Sequence, residues 1–213
     1  MKEIQENIFR RNDKLFTENL VPGEDVYSEQ LVVQEGVEYR NWQPSRSKAG
    51  AAVMNGVELG IGQEDEVLYL GAASGTTVSH FSDILKEGFI YAVEYSDTVV
   101  QGLVNLAEKR KNIAPILGDG RKPEDYAELI QGDVDVVLQD ISQSDQAEIF
   151  LKNSERFLKK DGLGLLAIKA HSISTSRDEE KVFEEVKDKL TEKFDIVEET
   201  RLEPYEKNHL FLK

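Results

Sequence analysis

The sequence predicts an α/β fold: a seven-stranded sheet, antiparallel at its last strand, preceded by a small N-terminal β-region. Three observations carry this expectation. From Val67 onward short apolar runs recur seven times, and helix-length segments separate the first five. Only "EPYEKN" joins the last two runs, too little chain for a parallel crossover, so these two strands run antiparallel. Before about residue 60 the rhythm differs, with turn signals at "RND", "PGED" and "QEG" dividing short segments.

Taken in order, "NIFR", "KLFTENL" and "EQLVVQEGVEYRNW" read as the antiparallel β-region, residues 1–44. "SRSKAGAAVMNG" reads as a short amphipathic helix, capped by Ser45 or Ser47 and ending near Gly56 or Gly60; it opens the main domain, residues 45–213. The apolar runs of that domain are "VLYL", "FIYAVE", "IAPIL", "VDVVLQ", "LGLLAIK", "FDIVEETRL" and "HLFL". Helical segments fall notably at Asp97 to Lys111 and Ser144 to Lys160, and right-handed crossovers make the first five strands parallel. Parallel strands ending in an antiparallel hairpin resemble the Rossmann-like sheet of S-adenosylmethionine-dependent methyltransferases.

Composition narrows the chemistry. The 213 residues are 39% hydrophobic and 31% charged, the balance of an ordinary globular chain rather than a disordered one. No stretch is long and apolar enough to span a membrane, and "MKEIQENIFRRNDK" has no apolar signal core, which places the protein in the cytoplasm. With no cysteine there is no disulfide or thiolate chemistry, and His80, His171 and His209 have no metal-ligand spacing. A net charge of −15, from 26 basic and 41 acidic residues, disfavours nucleic-acid binding by the chain alone, because cationic contacts to phosphate supply most of that affinity.

The stretch "VLYLGAASGTTVSHFSDI" runs from strand through a glycine turn into a helix, presenting free N–H groups at the strand's carboxyl edge. Gly71 and Gly75 lack the third glycine of a dinucleotide fingerprint and the lysine of a phosphate loop, so a ligand without pyrophosphate fits better. Glu94 ends the second strand 19 residues after Gly75, where a carboxylate accepts ribose hydroxyls, and Tyr95 beside it is placed to cover the base. Asp119 and Gly120 follow the third strand, either as an adenine contact or as an Asp-Gly turn. Asp140 ends the fourth, facing cofactor and substrate or capping the next helix. Lys169 leaves an apolar fifth strand and needs an anionic partner, for which Asp140 is the nearest candidate; a snorkelling stem is the alternative. Lys48 and Arg46 read alone as a solvated face, His209 as a strand-edge residue, His80 as packing, and "EKRKN" as a cationic helix end.

Together "YRNWQPSRSKAGAAV", "LGAASGTTVSHFSDI", "YAVEYS", "PILGDGRKPEDY", "QDISQSDQAEI", "AIKAHSI" and "LEPYEKNHLFL", in this order, resemble the fibrillarin family, whose archaeal members are RNA 2′-O-methyltransferases of box C/D guide complexes. The resemblance implies a lysine–aspartate–lysine–histidine set around the reacting hydroxyl, matched by Lys48, Asp140, Lys169 and His209. It implies S-adenosylmethionine contacts from Gly71, Thr76, Thr77, Glu94, Tyr95, Asp119, Gly120, Asp140, Ile141, Ser142 and Gln143. It also implies a Nop-type scaffold protein, a kink-turn-binding protein, a box C/D guide RNA and its target RNA as partners. The sequence departs from the family pattern in the glycine of "GDGR", the missing proline of "QDISQSDQ", and His171 in place of a common arginine. Two other readings share these cofactor motifs: a methyltransferase acting on protein or a small molecule, and a non-catalytic scaffold subunit.

Overall fold

The computed structural model describes all residues, 1–213, as two sheets. The N-terminal sheet contains β1 (Lys2–Gln5), β2 (Ile8–Arg11), β3 (Lys14–Glu18), β4 (Leu31–Gln34) and β5 (Val37–Trp42), ordered β1-β2-β3-β5-β4 with every pair antiparallel. Two-residue connections join β1 to β2, β2 to β3 and β4 to β5, and Asn7, Asn12 and Glu35 in them take positive φ, as tight hairpins demand. The sequence reading omits β1. Its residues "KEIQ" are almost wholly exposed, so no apolar alternation marks them.

A 3₁₀ turn, Pro44–Arg46, leads into α1 (Lys48–Met54). Ser47 is the cap: its Oγ accepts from the Gly50 N–H at 3.2 Å, which settles the choice between two serines. The large sheet contains β6 (Glu66–Leu70), β7 (Phe89–Glu94), β8 (Ile113–Leu117), β9 (Val134–Gln139), β10 (Leu158–Lys169), β11 (Glu199–Arg201) and β12 (His209–Leu212). Its order is β11-β12-β10-β9-β6-β7-β8, parallel from β10 to β8, with β12 antiparallel to both its neighbours. The helices are α2 (Thr76–Ile84), α3 (Val100–Lys109), α4 (Gln146–Phe157), the single turn α5 (Ala170–Ile173) and α6 (Glu179–Leu190).

Three elements differ from the sequence reading. Strand β10 begins at Leu158 rather than Leu163. The run "FDIVEETRL" contributes only three ladder residues, because Phe194 and Ile196 turn instead onto the core beside α4, with the Phe194 ring 5.5 Å from Phe150. Between β8 and β9 lie two 3₁₀ turns, Pro123–Asp125 and Ala127–Leu129, and no α-helix.

The central strands are apolar on both faces because both are covered. Val67, Tyr69, Ala92 and Leu138 face a core shared with α1, α2, α3 and the N-terminal residues Ile8, Leu15 and Trp42. Leu68, Tyr91, Val93 and Val137 face the core under α4 and α6. A buried polar joint locks the two sheets together: Arg40 of β5 pairs with Glu29 at 2.5 Å and with Asp83 of α2 at 2.9 Å, and Arg110 pairs with Asp83 at 2.5 Å. His80, one turn before Asp83, is wholly buried, with Nδ1 2.8 Å from Thr17 Oγ1 and Nε2 2.6 Å from the Tyr27 hydroxyl. Thr17 donates its own proton to Asp83 at 2.7 Å, and the Tyr27 hydroxyl donates to the Asn41 carbonyl at 2.9 Å. Burial, reinforced by Arg40 and Arg110, holds His80 neutral far below the usual histidine range. The same joint makes Arg110, expected as part of a cationic helix end and found at the C-terminal cap of α3, a buried cation.

Candidate active site

The carboxyl ends of β6, β7, β8 and β9 open onto a cavity of about 250 Å³. Gly71 lines it at φ 82°, and a Cβ there would sit 2.3 Å from the Asp140 carbonyl oxygen, so only glycine lets the loop after β6 cross the end of β9 this closely. Gly75, also at positive φ, caps α2 without a side chain. Glu94, Tyr95, Asp119, Gly120, Asp140, Ile141, Ser142 and Gln143 all line the same cavity. Thr76 and Thr77, at the start of α2, do not; Thr76 borders a separate cavity beyond the loop, and Thr77 Oγ1 donates to Ser47 Oγ at 3.1 Å under α1.

The carboxylates here already hold the backbone. Glu94 accepts from the Ala73 N–H and the Ser96 N–H, both at 2.8 Å, bracing the glycine loop against the end of β7. Each oxygen keeps a lone pair for a ligand hydroxyl. Asp119 Oδ1 accepts from the Arg121 N–H at 3.0 Å in an Asx-type turn, so the turn and the cavity-lining position coexist in one residue. Tyr95 is mostly exposed at the rim. Sequence reasoning missed Arg121, whose guanidinium forks onto Asp145 with two 2.7 Å contacts and donates to Gln143 Oε1 at 2.9 Å, tying the turn after β8 to the loop after β9. It also missed Ile149 and Ala73, apolar and backbone contributors to the wall that no local pattern distinguishes from core.

At the substrate edge the structure corrects the ion pairing. The partner of Asp140 is Lys48, with Nζ 2.9 Å from Oδ1 and 3.1 Å from Oδ2, and no carboxylate lies within 4.0 Å of Lys169. The reason is register. β10 pairs with β9 only as far as Leu166 opposite Gln139, so Lys169 lies beyond the point where β9 leaves the sheet, while α1 brings Lys48 directly onto the carboxylate. Asp140 does not cap α4, whose cap position is Asp145. Lys169 stands opposite His209 in the β10–β12 ladder. His209 Nδ1 donates to the Lys207 carbonyl at 2.7 Å, which leaves Nε2 buried, unprotonated and without a partner. Burial, then Lys48, pushes the His209 imidazole below its usual range, with Asp140 pulling the other way.

A larger cavity, about 570 Å³, lies at the opposite end of the sheet between α4, α6 and the start of β10, lined by Phe150, Leu158, Leu190 and Phe194. None of the residues selected from the sequence falls in it, and no group of histidine, aspartate and glutamate side chains is arranged to hold a metal ion.

Comparisons with known proteins show the family to which the chain belongs. A relative from Pyrococcus abyssi called fibrillarin-like rRNA/tRNA 2′-O-methyltransferase is 50% identical over 93% of this chain and 88% of its own length. The crystal structure of Aeropyrum pernix fibrillarin with natively bound S-adenosyl-L-methionine superposes with a TM-score of 0.87 at 40% identity, covering 93% of this chain and 87% of that one. A fibrillarin from a fibrillarin/Nop5p complex superposes with a TM-score of 0.92 at 41% identity, covering 99% of this chain and 98% of that one. Since the fibrillarin family model also matches residues 1–213 without remainder, this chain belongs to the fibrillarin family.

Proposed function

We propose that the protein transfers a methyl group from S-adenosylmethionine to ribose 2′-hydroxyls of rRNA and tRNA, as the guide-directed catalytic subunit of a box C/D ribonucleoprotein. The observation that carries this reading is the Lys48–Asp140 ion pair at the mouth of the glycine-loop cavity, beside a histidine with a free, buried Nε2. The cavity suits the cofactor. Its backbone crosses at Gly71, it sets Glu94 and Asp119 carboxylates at strand ends, and it has apolar walls at Val93, Ile141 and Ile149. Bound S-adenosylmethionine supplies the electrophilic methyl group.

The chain's own residues bind, orient and deprotonate. Glu94 would take the cofactor ribose hydroxyls and Asp119 the adenine amino group, both from strand ends that line the cavity. At the substrate end a ribose hydroxyl is a weak nucleophile, and needs a base together with cations for its developing charge. His209 Nε2 is poised to accept that proton, because its Nδ1 is committed to Lys207 and its neutral form is favoured. Lys48, held by Asp140, and Lys169 stabilise the alkoxide.

A chain with net charge −15 needs help to hold RNA. The related fibrillarin solved with Nop5p supports a Nop-type scaffold as that help, and a kink-turn-binding protein, a guide RNA and its target complete the assembly. Tritium transfer from S-adenosylmethionine in the reconstituted complex tests the reading. Guide-dependent label on the 2′-oxygen of the paired nucleotide is expected. Label on protein or a small molecule, independent of guide, would replace it with the alternative methyltransferase reading.

A further inference from the structure

Gln146 is the first residue of α4, and nothing in the reading above uses it, yet it is wholly buried and fully engaged. Its Oε1 accepts from the Lys169 backbone N–H at 3.0 Å, and its Nε2 donates to the Lys169 carbonyl at 3.2 Å. The same Nε2 donates to the Gln143 carbonyl at 2.7 Å. The Gln146 carbonyl in turn accepts from Nε2 of buried Gln139, at the end of β9, at 2.8 Å.

Topology explains why a glutamine amide is needed there. The β9–β10 ladder ends at Leu166 opposite Gln139, and β9 departs at Asp140 to form the cofactor-side loop. Lys169, three residues further along β10, is still extended at φ −109°, ψ 100°, and still paired with His209 on its other flank. Its N–H and C=O therefore point toward a strand that is no longer present, and unpaired buried backbone groups are costly. The Gln146 amide offers one acceptor and one donor in the pattern of a neighbouring strand. Because both polar groups of Lys169 turn toward Gln146, Lys169 and His209 form the non-hydrogen-bonded kind of antiparallel pair, whose side chains approach most closely.

We propose that Gln146 is a positioning residue that stands in for the missing strand, holding Lys169 in register with His209 and tying both to the loop at Gln143. It acts on the reaction through Lys169. This rests on the RNA-methyltransferase reading above, and the experiment separates the two. A plain packing role for a buried glutamine predicts a general loss of stability; a positioning role predicts a loss that exists only while Lys169 is there to be positioned.

The test is single-turnover methylation by the complete guide complex, saturated with cofactor and target. Parent, Gln146→Met, Gln146→Glu and Lys169→Met proteins are compared with both double variants. Gln146→Glu keeps the size and the acceptor but loses both donated bonds, and it carries the comparison if the methionine variant fails to bind cofactor. Each Gln146 change is expected to slow the chemical step by about tenfold to a hundredfold, the scale of a misplaced reacting group. The KM for target RNA should stay within about twofold, since no RNA contact is removed. In the Lys169→Met background the same change should cost less than about twofold, the non-additivity of two residues acting as one. Equal losses in both backgrounds, or a Gln146 variant as fast as the parent, would overturn the proposal. A parent complex that places no methyl on the guided 2′-oxygen would instead refute the functional reading beneath it.

Discussion

Lys169 and Lys48 exchange the parts that strand adjacency alone assigns them. Lys48 is the residue paired to Asp140, whereas Lys169 has its backbone held and its ammonium left without a carboxylate, free to meet charge that develops on substrate. Lys169→Met is therefore expected to fold and bind cofactor, yet lose at least about a hundredfold in turnover. Calorimetry for the cofactor and single-turnover rates check this, and a rate within a few-fold of the parent would return Lys169 to packing. His209 governs the acid limb. Burial and Lys48 hold its folded pKa below the ordinary 6.5, so Nε2 stays available as pH falls past that value and is lost only below it. The rate of the chemical step should be flat near neutrality, fall on acidification with a midpoint under 6.5, and lose this limb in His209→Gln. The sign for stability is the same. The unfolded chain binds the proton first, so the His209 contribution is present above 6.5 and lost as pH drops through the lower folded value.

Elements meet here through charge as well as apolar packing. The N-terminal sheet is bolted to α2 by Arg40, whose guanidinium reaches Glu29, Asp83 and the Ser79 hydroxyl with no exposed side-chain surface on either ion pair. Helix α2 follows directly on the glycine loop that lines the cofactor cavity, so this joint holds the rear of the element into which that loop runs. Arg40→Met strands buried Glu29 without its cation and leaves Asp83 with Arg110 as its one remaining arginine partner, a change expected to cost about 3–5 kcal/mol. Urea unfolding at constant m-value measures it. A loss under about 1 kcal/mol would mean the joint is dispensable to the sheet-to-helix contact. His80 belongs to the same joint, and its neutrality below the usual histidine range adds to acid sensitivity in the sense worked out for His209.

For the molecule as a whole, the net charge of −15 and the site's small cationic cluster divide labour between binding and chemistry. The isolated chain is expected to bind guide or target RNA weakly and without sequence preference at physiological salt, with partners restoring tight binding. Filter binding checks this; tight, selective retention of RNA by the chain alone would overturn it. Fold and site are arranged to the same end. The parallel strands stop at one edge, carboxylates collect there, and β12, inserted antiparallel between β10 and β11, delivers His209 to that edge from the C-terminal end of the chain.

What the sequence by itself determined are the features written in local pattern. Apolar-rich runs such as "FIYAVE", "IAPIL" and "VDVVLQ" coincide with strands residue for residue, because a parallel sheet packed against on both faces draws near-continuous apolar runs. Gly71, Glu94 and Asp119 were legible because strand ends in such a sheet converge on one crevice. What only the tertiary structure decided are the pairings between residues far apart in the chain. Lys48 and Asp140 lie 92 positions apart, Arg40 and Asp83 43, and neither separation carries a local signal. The role of Gln146 was hidden for the same reason. Its partner is a backbone whose need for an amide arises only where β9 leaves the sheet before β10 does, and that is a property of register in the assembled fold.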